Sequence, residues 1–225
     1  MNYEVRMRLE QLASDFPRYL QRFDDRVPFN KPGQREYHSE TIKVRRDLIS
    51  AAASVDDDRL MRLLWETLLA WGIGSRGSRL VPYPEFCRAI RPGKGEICSL
   101  DGLWIDDPSL NIDEVVVRLW NLVKGLNIVE NDTKLVACSK ALHHLLPDLI
   151  MPMDRQYTRV FFHCYGSQFQ YGQRRFFEQA YRSLVQLARE VGPGQYVGSG
   201  WRTSRTKVLD NALIAYCQEN RLSLL

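Results

Sequence analysis

The chain predicts an all-α fold, and three observations carry that prediction. Apolar residues recur with the 3.6-residue helical period along most of the 225 residues. Few stretches alternate with the two-residue period of a half-buried strand, so no substantial sheet is expected. Breaks bearing glycine or proline at 26–33, 72–79, 92–93 and 192–200 cut the periodic stretches into helices of ordinary length.

Leu9, Leu12, Phe16, Tyr19, Leu20 and Phe23 share one helix face, with Pro17 marking a kink or a break. Arg26 to Gly33 carries two prolines, a glycine and no period, which predicts a loop. A helix follows over about 38–54, capped by Ser39 and turning Thr41, Ile42, Leu48 and Ile49 inward. The next, over about 56–71, opens on Asp56-Asp57-Asp58, whose charge suits the positive end of a helix. After the break at Gly72–Arg79, Tyr83 or Pro84 opens a short helix through Phe86 and Ile90 that Pro92-Gly93 ends. Residues 94–110 read as irregular or weakly extended. Asp113 opens a helix through Val116, Leu119, Trp120 and Val123 that stops at Gly125. Further helices fit about 133–146, 154–165, 173–191 and 203–219. Gly192-Pro193-Gly194 and Gly198-Ser199-Gly200 read as a mobile loop before the last one. With no repeat or low-complexity segment, the expectation is a single helical domain over 1–225, or two helical lobes of it, with its cleft near 113–165.

Bulk properties narrow the function. A hydrophobic content of 44% beside 26% charged residues is that of an ordinary soluble protein. No apolar run approaches the roughly 20 residues that cross a bilayer. Met1 to Arg6 alternates charged and apolar side chains, which predicts neither signal peptide nor anchor, and so a cytoplasmic protein without a membrane partner. Cys87, Cys98, Cys138, Cys164 and Cys217 are odd in number and lack metal-ligand spacing, so buried thiols are expected in place of disulfides, zinc or iron–sulfur clusters. His143 and His144 are adjacent on a helix and do not face one ligand, so no metal is expected there. No Ser-His-Asp order, nucleophile elbow or paired acidic nuclease motif is present. A net charge of +4 permits nucleic-acid binding without demanding it.

The stretch that carries chemistry runs from Thr133-Lys134-Leu135 through Ser139-Lys140 to Pro152-Met153-Asp154. An amine able to form a Schiff base, beside a carboxylate that stabilises positive charge, suits cleavage of an N-glycosidic bond. On a helical wheel Leu135, Cys138, Leu142, Leu145 and Leu146 share an arc; Lys134 lies at its edge and Lys140 points away. The wheel therefore favours Lys134 as the amine, with Lys140 in reserve. Asp154 reads as the N-cap of the following helix, a role compatible with catalysis because the helix end favours the ionised carboxylate.

This arrangement, Thr-Lys opening a helix and Pro-x-Asp some 20 residues on, resembles the helix-hairpin-helix DNA glycosylase superfamily, in particular its 8-oxoguanine glycosylase branches. The likeness covers roughly 113–165: helix 113–124, the turn Gly125–Asp132 and the helix from Thr133. The resemblance implies Lys134 as the Schiff-base position and Asp154 as the catalytic aspartate, with no cofactor. Where that superfamily reads Leu-Pro-Gly-Val-Gly before the lysine, this chain has Val129-Glu130-Asn131-Asp132-Thr133, a hairpin that binds DNA differently or weakly.

Two basic stretches complete the expectation. Trp71 to Arg79 offers closely spaced glycines with Arg76 and Arg79, read as a DNA-facing loop or a plain helix end and turn. Ser199 to Lys207 offers Arg202, Arg205 and Lys207 ahead of a helix, read as a phosphate contact or a solvated loop. Trp71 and Trp201 are candidates to stack an extruded base, although core packing is the commoner use of each. The reading is a monomeric, cofactor-free DNA glycosylase acting on double-stranded DNA with a modified base. The resemblance points to an oxidised purine, or to a hypermodified phage cytosine in a defence role. A non-catalytic DNA-binding module and a helical protein-interaction domain are the rival readings.

Overall fold

Residues 2–48, 50–74, 79–131 and 134–222 are described by the computed structural model, apart from the side chains of Ser167 and Gln168. Arg76, Thr133 and Ile49 lie outside the described residues. The first helical pattern divides into α1 (Tyr3–Ser14) and α2 (Phe16–Asp25). Pro17 sits in the first turn of α2, where a missing N–H costs nothing. α1 buries Val5, Leu9 and Leu12, and α2 buries Phe16, Tyr19, Leu20 and Phe23.

The loop 26–33 ends at Gly33, whose φ of +79° turns the chain directly into α3 (Gln34–Asp47). Gln34 returns its side-chain oxygen to the Lys31 amide at 3.0 Å, which fixes the turn. The helix therefore starts ahead of the expected boundary, and Ser39 lies inside it and does not cap it. It also stops early: Leu48 is extended, and Ser50 accepts a hydrogen bond from the Ala53 amide to open α4 (Ala51–Asp56). Replacing Gly33 with alanine forces a non-glycine residue into the left-handed region, with the new Cβ 2.9 Å from the Tyr37 ring. That ring is exposed enough to swing aside, so backbone strain dominates. The expected cost is about 1 kcal/mol, read as a lower urea midpoint.

Asp57 caps α5 (Asp58–Ala70) by accepting from the Leu60 amide at 2.7 Å. α6 (Tyr83–Ile90) and a 3₁₀ turn lead into α7 (Lys94–Ser99), a short helix in the stretch expected to be irregular. Six residues are too few to show a period, and burial of Ile97 holds α7 in place. α8 (Ile112–Gly125) and α9 (Leu135–Leu145) match their expected ranges closely. Their connection pairs with the segment before α6: Val81 donates to Ile128 and Glu130 to Arg79, each at 3.0 Å, around an isolated Leu80–Val129 bridge. The helix expected over 154–165 is only one turn, α10 (Thr158–Phe161). The chain reverses at His163 (φ +49°) and continues as α11 (Gly166–Tyr171), α12 (Gln173–Val191) and α13 (Arg205–Glu219).

α13 is the axis of the molecule. Every residue from Thr206 to Cys217 is buried, which marks a helix covered on all sides. α2, α1 and α10 pack along it, α3 packs on α5, both reach α9, and α8 joins α9 to α12. One apolar cluster runs from Val5 to Cys217. The described residues form an all-α protein, and none of their helices is long and apolar enough to cross a membrane.

Candidate active site

α9 carries both candidate lysines, and the structure separates them. Lys134 is the N-cap of α9, and its Nζ donates to the Lys124 carbonyl at 3.1 Å and to Asn127 Oδ1 at 2.5 Å. Its amine thus satisfies the carbonyl end of α8, a common use for a lysine beside a helix C-terminus, and does not line the cleft that holds Asp154. Lys140, six residues on, does line it. Its Nζ lies 5.5 Å from the centre of the Trp71 ring and has no ion pair among the described residues. Burial pushes the Lys140 amine below the ordinary lysine range, against the opposing pull of Asp154 and Asp210, and Lys207 adds to the lowering. A larger neutral fraction is what a nucleophilic amine requires.

Asp154 is not the expected N-cap, because the chain makes a turn at 155–157 before α10 begins and Tyr157 takes the N-cap position; the Asp154 carboxylate instead holds that turn. Its Oδ1 accepts from the amides of Tyr157 at 2.6 Å and Thr158 at 3.1 Å, and its amide donates to Thr158 Oγ1 at 3.1 Å. The preceding Met153 amide donates to Ser139 Oγ at 3.1 Å, tying this segment to α9 one residue before Lys140. The carboxylate and the amine therefore reach one cleft of about 360 Å³, walled by Phe29, Gln34 and Trp71. A recess of about 40 Å³ deepens it, and there Lys207 and Asp210 of α13 join the same residues.

Of the basic stretch 199–207, Lys207 does not face outward as a phosphate site, whereas Ser199 and Gly200 are exposed and Arg202 and Arg205 partly so. Ser204 caps α13 through the Lys207 amide, which turns position 207 into the core. Lys207 is 1% exposed, donates to Asp210 Oδ2 at 2.5 Å and is boxed by four rings: Phe29 (5.0 Å), Trp201 (5.2 Å), Phe23 (5.6 Å) and Trp71 (5.8 Å). Such cation–π contacts are worth most when desolvated. Arg202 is paired with Asp24 at 2.6 Å. Arg205 is paired with Asp106 at 3.0 Å and Asp148 at 3.7 Å, and lies over Trp104. Lys207 is a buried structural cation, and Arg202 and Arg205 are ion-paired but partly exposed. Arg79 is exposed, beside the Leu80–Val129 bridge. Trp71 lines the cleft, its Nε1 donating to the Gln34 carbonyl at 3.1 Å. Trp201 is buried behind it, stacked on His38 at 5.5 Å, and lines neither cleft nor recess.

Sequence reasoning missed Asp210, Phe29 and Gln34. Asp210 left a signal: an acid three residues after a lysine, within the run Val208 to Cys217 that is apolar apart from it and Asn211. Phe29 and Gln34 sit in and just after a loop without a period, where no pattern shows which way a side chain faces.

A histidine cluster supports the floor. His144 Nδ1 lies 2.7 Å from the Lys140 carbonyl, which only accepts, so Nδ1 carries the hydrogen. His144 Nε2 is then an acceptor for His38 Nδ1 at 2.9 Å, and His38 Nε2 accepts from the Thr203 hydroxyl at 2.8 Å. Every ring in this chain is neutral. Burial holds His38 and His143 well below the ordinary histidine range, aided by neighbouring histidines and Lys207, and lowers His144 to about 4. An unfolded chain takes up these protons near pH 6.5, so below that pH it binds more protons than the folded one. The histidine contribution to the unfolding free energy is expected to be level above about pH 7. It should then decline as pH falls from 6.5 towards 4, by up to about 1.4 kcal/mol per pH unit for each histidine. Urea titrations at pH 7.5, 6 and 5 check this, and equal stabilities would contradict it.

Among the described residues no group of three histidine, cysteine or acidic side chains could hold a metal ion. Comparison with protein-family models, curated proteins and solved structures gives no match to the chain.

Proposed function

We propose that the protein is a DNA N-glycosylase of helix-hairpin-helix type that forms a covalent intermediate through Lys140. One observation carries the reading: a desolvated amine without an ion pair and a backbone-oriented carboxylate share one aromatic-walled cleft. The succession of α8, turn and α9 ahead of Asp154 is consistent with the resemblance in the sequence, with the amine moved from Lys134 to Lys140.

An extruded nucleotide enters the cleft and stacks its base on Trp71 or Phe29. As the C1′–N bond stretches, positive charge grows on the sugar, and the fixed Asp154 carboxylate stabilises it. Lys140 attacks C1′ and the base departs. Exposed Lys31 and Arg155 line the cleft without ion pairs among the described residues, and suit the flanking phosphates. The expected substrate is an oxidised purine or a hypermodified cytosine in duplex DNA.

Abasic-site formation on duplexes carrying single oxidised, alkylated, deaminated or glucosylated bases tests the proposal. Release of one of these bases by the wild type, lost in Asp154→Asn, supports it and names the substrate. No release from any duplex, with salt-dependent DNA binding intact, would favour a non-catalytic DNA-binding module.

A further inference from the structure

α13 brings a second carboxylate to the recess, and its surroundings differ from those of Asp154. Asp154 has one oxygen committed to two backbone amides and reaches the open cleft. Asp210 is 4% exposed and lines only the recess. Its one hydrogen-bonded partner there, Lys207, is itself buried within four aromatic rings. A buried ion pair is a poor source of stability, because desolvating two charges offsets most of their attraction. This pair also stands within electrostatic range of Lys140. Two carboxylates in unlike surroundings commonly divide the work, the solvated and hydrogen-bonded one staying anionic while the desolvated one exchanges protons. Burial raises the Asp210 carboxyl above the ordinary range, which makes its anion the better proton acceptor.

We propose that Asp210 is a further catalytic residue, accepting the proton that Lys140 releases on attacking C1′ and passing it to the departing base, with Lys207 as its positioning residue. The assignment rests on the glycosylase reading. Lys140 Nζ forms a bond to C1′ while the C1′–N bond breaks, its electron pair leaving with the base. One proton moves from the new ammonium to Asp210 and then to the base nitrogen, which restores the carboxylate. The charged and titratable groups around the Lys140 amine are Asp154 before α10, Lys207 and Asp210 on α13, and His144 one turn along α9.

The probe is a duplex with one abasic site, whose C1′ aldehyde condenses with Lys140 and is fixed by borohydride. In this reaction the proton passes through Asp210 to the oxygen that leaves as water. Trapping rates for wild type and Asp210→Asn are measured from pH 6 to 9. The proposal expects the variant to be about 100-fold slower at pH 7, the deficit shrinking at higher pH as hydroxide replaces the missing base. A purely electrostatic role predicts the opposite sign, since removing an anion beside Lys140 favours its neutral form. An equal or faster rate at pH 7 therefore overturns the proposal. Because Asp210→Asn strands Lys207 as an unpaired buried charge, Lys207→Gln/Asp210→Asn serves as a charge-balanced second variant, with the same deficit expected. Absence of wild-type trapping at every pH would instead reject Lys140 as nucleophile, and this inference with it.

Discussion

Replacing Lys140 with glutamine is expected to abolish borohydride trapping on abasic DNA, a fall of at least about 1,000-fold to background, because an amide nitrogen does not add to C1′. The loss should be chemical and not structural. Lys140 is partly buried and without an ion pair among the described residues, so a neutral side chain of similar reach strands no partner. Stability is expected to hold or rise slightly. Lys134→Gln is the contrasting case. It weakens the bonds to the Lys124 carbonyl and Asn127, which should cost about 0.5–1 kcal/mol, while trapping stays within about twofold. Trapping gels and urea titrations on the two variants, run together, check both halves. The reverse pattern would return the chemistry to Lys134.

Asp154→Asn is expected to lower base release by about 100- to 1,000-fold, the scale of losing one preorganised electrostatic group. The substitution isolates charge from architecture. An asparagine oxygen can still accept from the Tyr157 and Thr158 amides, so the turn ahead of α10 survives and stability should change by less than about 1 kcal/mol. The same variant separates the two chemical steps. Asp154 opposes the lowering of the Lys140 amine, so its removal leaves that amine more often neutral. Trapping on a pre-formed abasic site is therefore expected to persist or quicken while base release collapses. Parallel loss of both would show that Asp154 holds the cleft together and does not act on the sugar.

Long amphipathic stretches such as those of α8 and α12 were legible in the sequence because one-sided burial on a helix leaves a period. The boundaries at Gly33 and Leu48 were not, since they depend on one left-handed residue and one capping serine. α7 and α11 are too short to show a period at all. The candidate site was legible in composition but not in placement. Asp154 carries a local signature, a carboxylate after proline and ahead of apolar residues, and the structure puts it in the cleft. The wheel for α9 favoured Lys134 because it treated the apolar arc as the only buried face. α9 is covered nearly all round, with His143 and His144 buried as well as Leu142 and Leu145, and the partly open strip that remains, Val136 and Lys140, faces the cleft. The same error turned Lys207 outward. A basic stretch before a helix suggests solvent unless one sees that the following apolar residues surround the whole helix.

The claim that Lys140 is the reacting amine meets its most direct test in the covalent adduct itself. Wild-type protein is reduced with borohydride on a duplex bearing one abasic site, digested, and the modified peptide located by mass spectrometry. The account predicts the sugar remnant on Lys140 in the peptide between Leu135 and Arg155. A remnant on Lys134 or on the N-terminal amine, or no adduct at all, would contradict it.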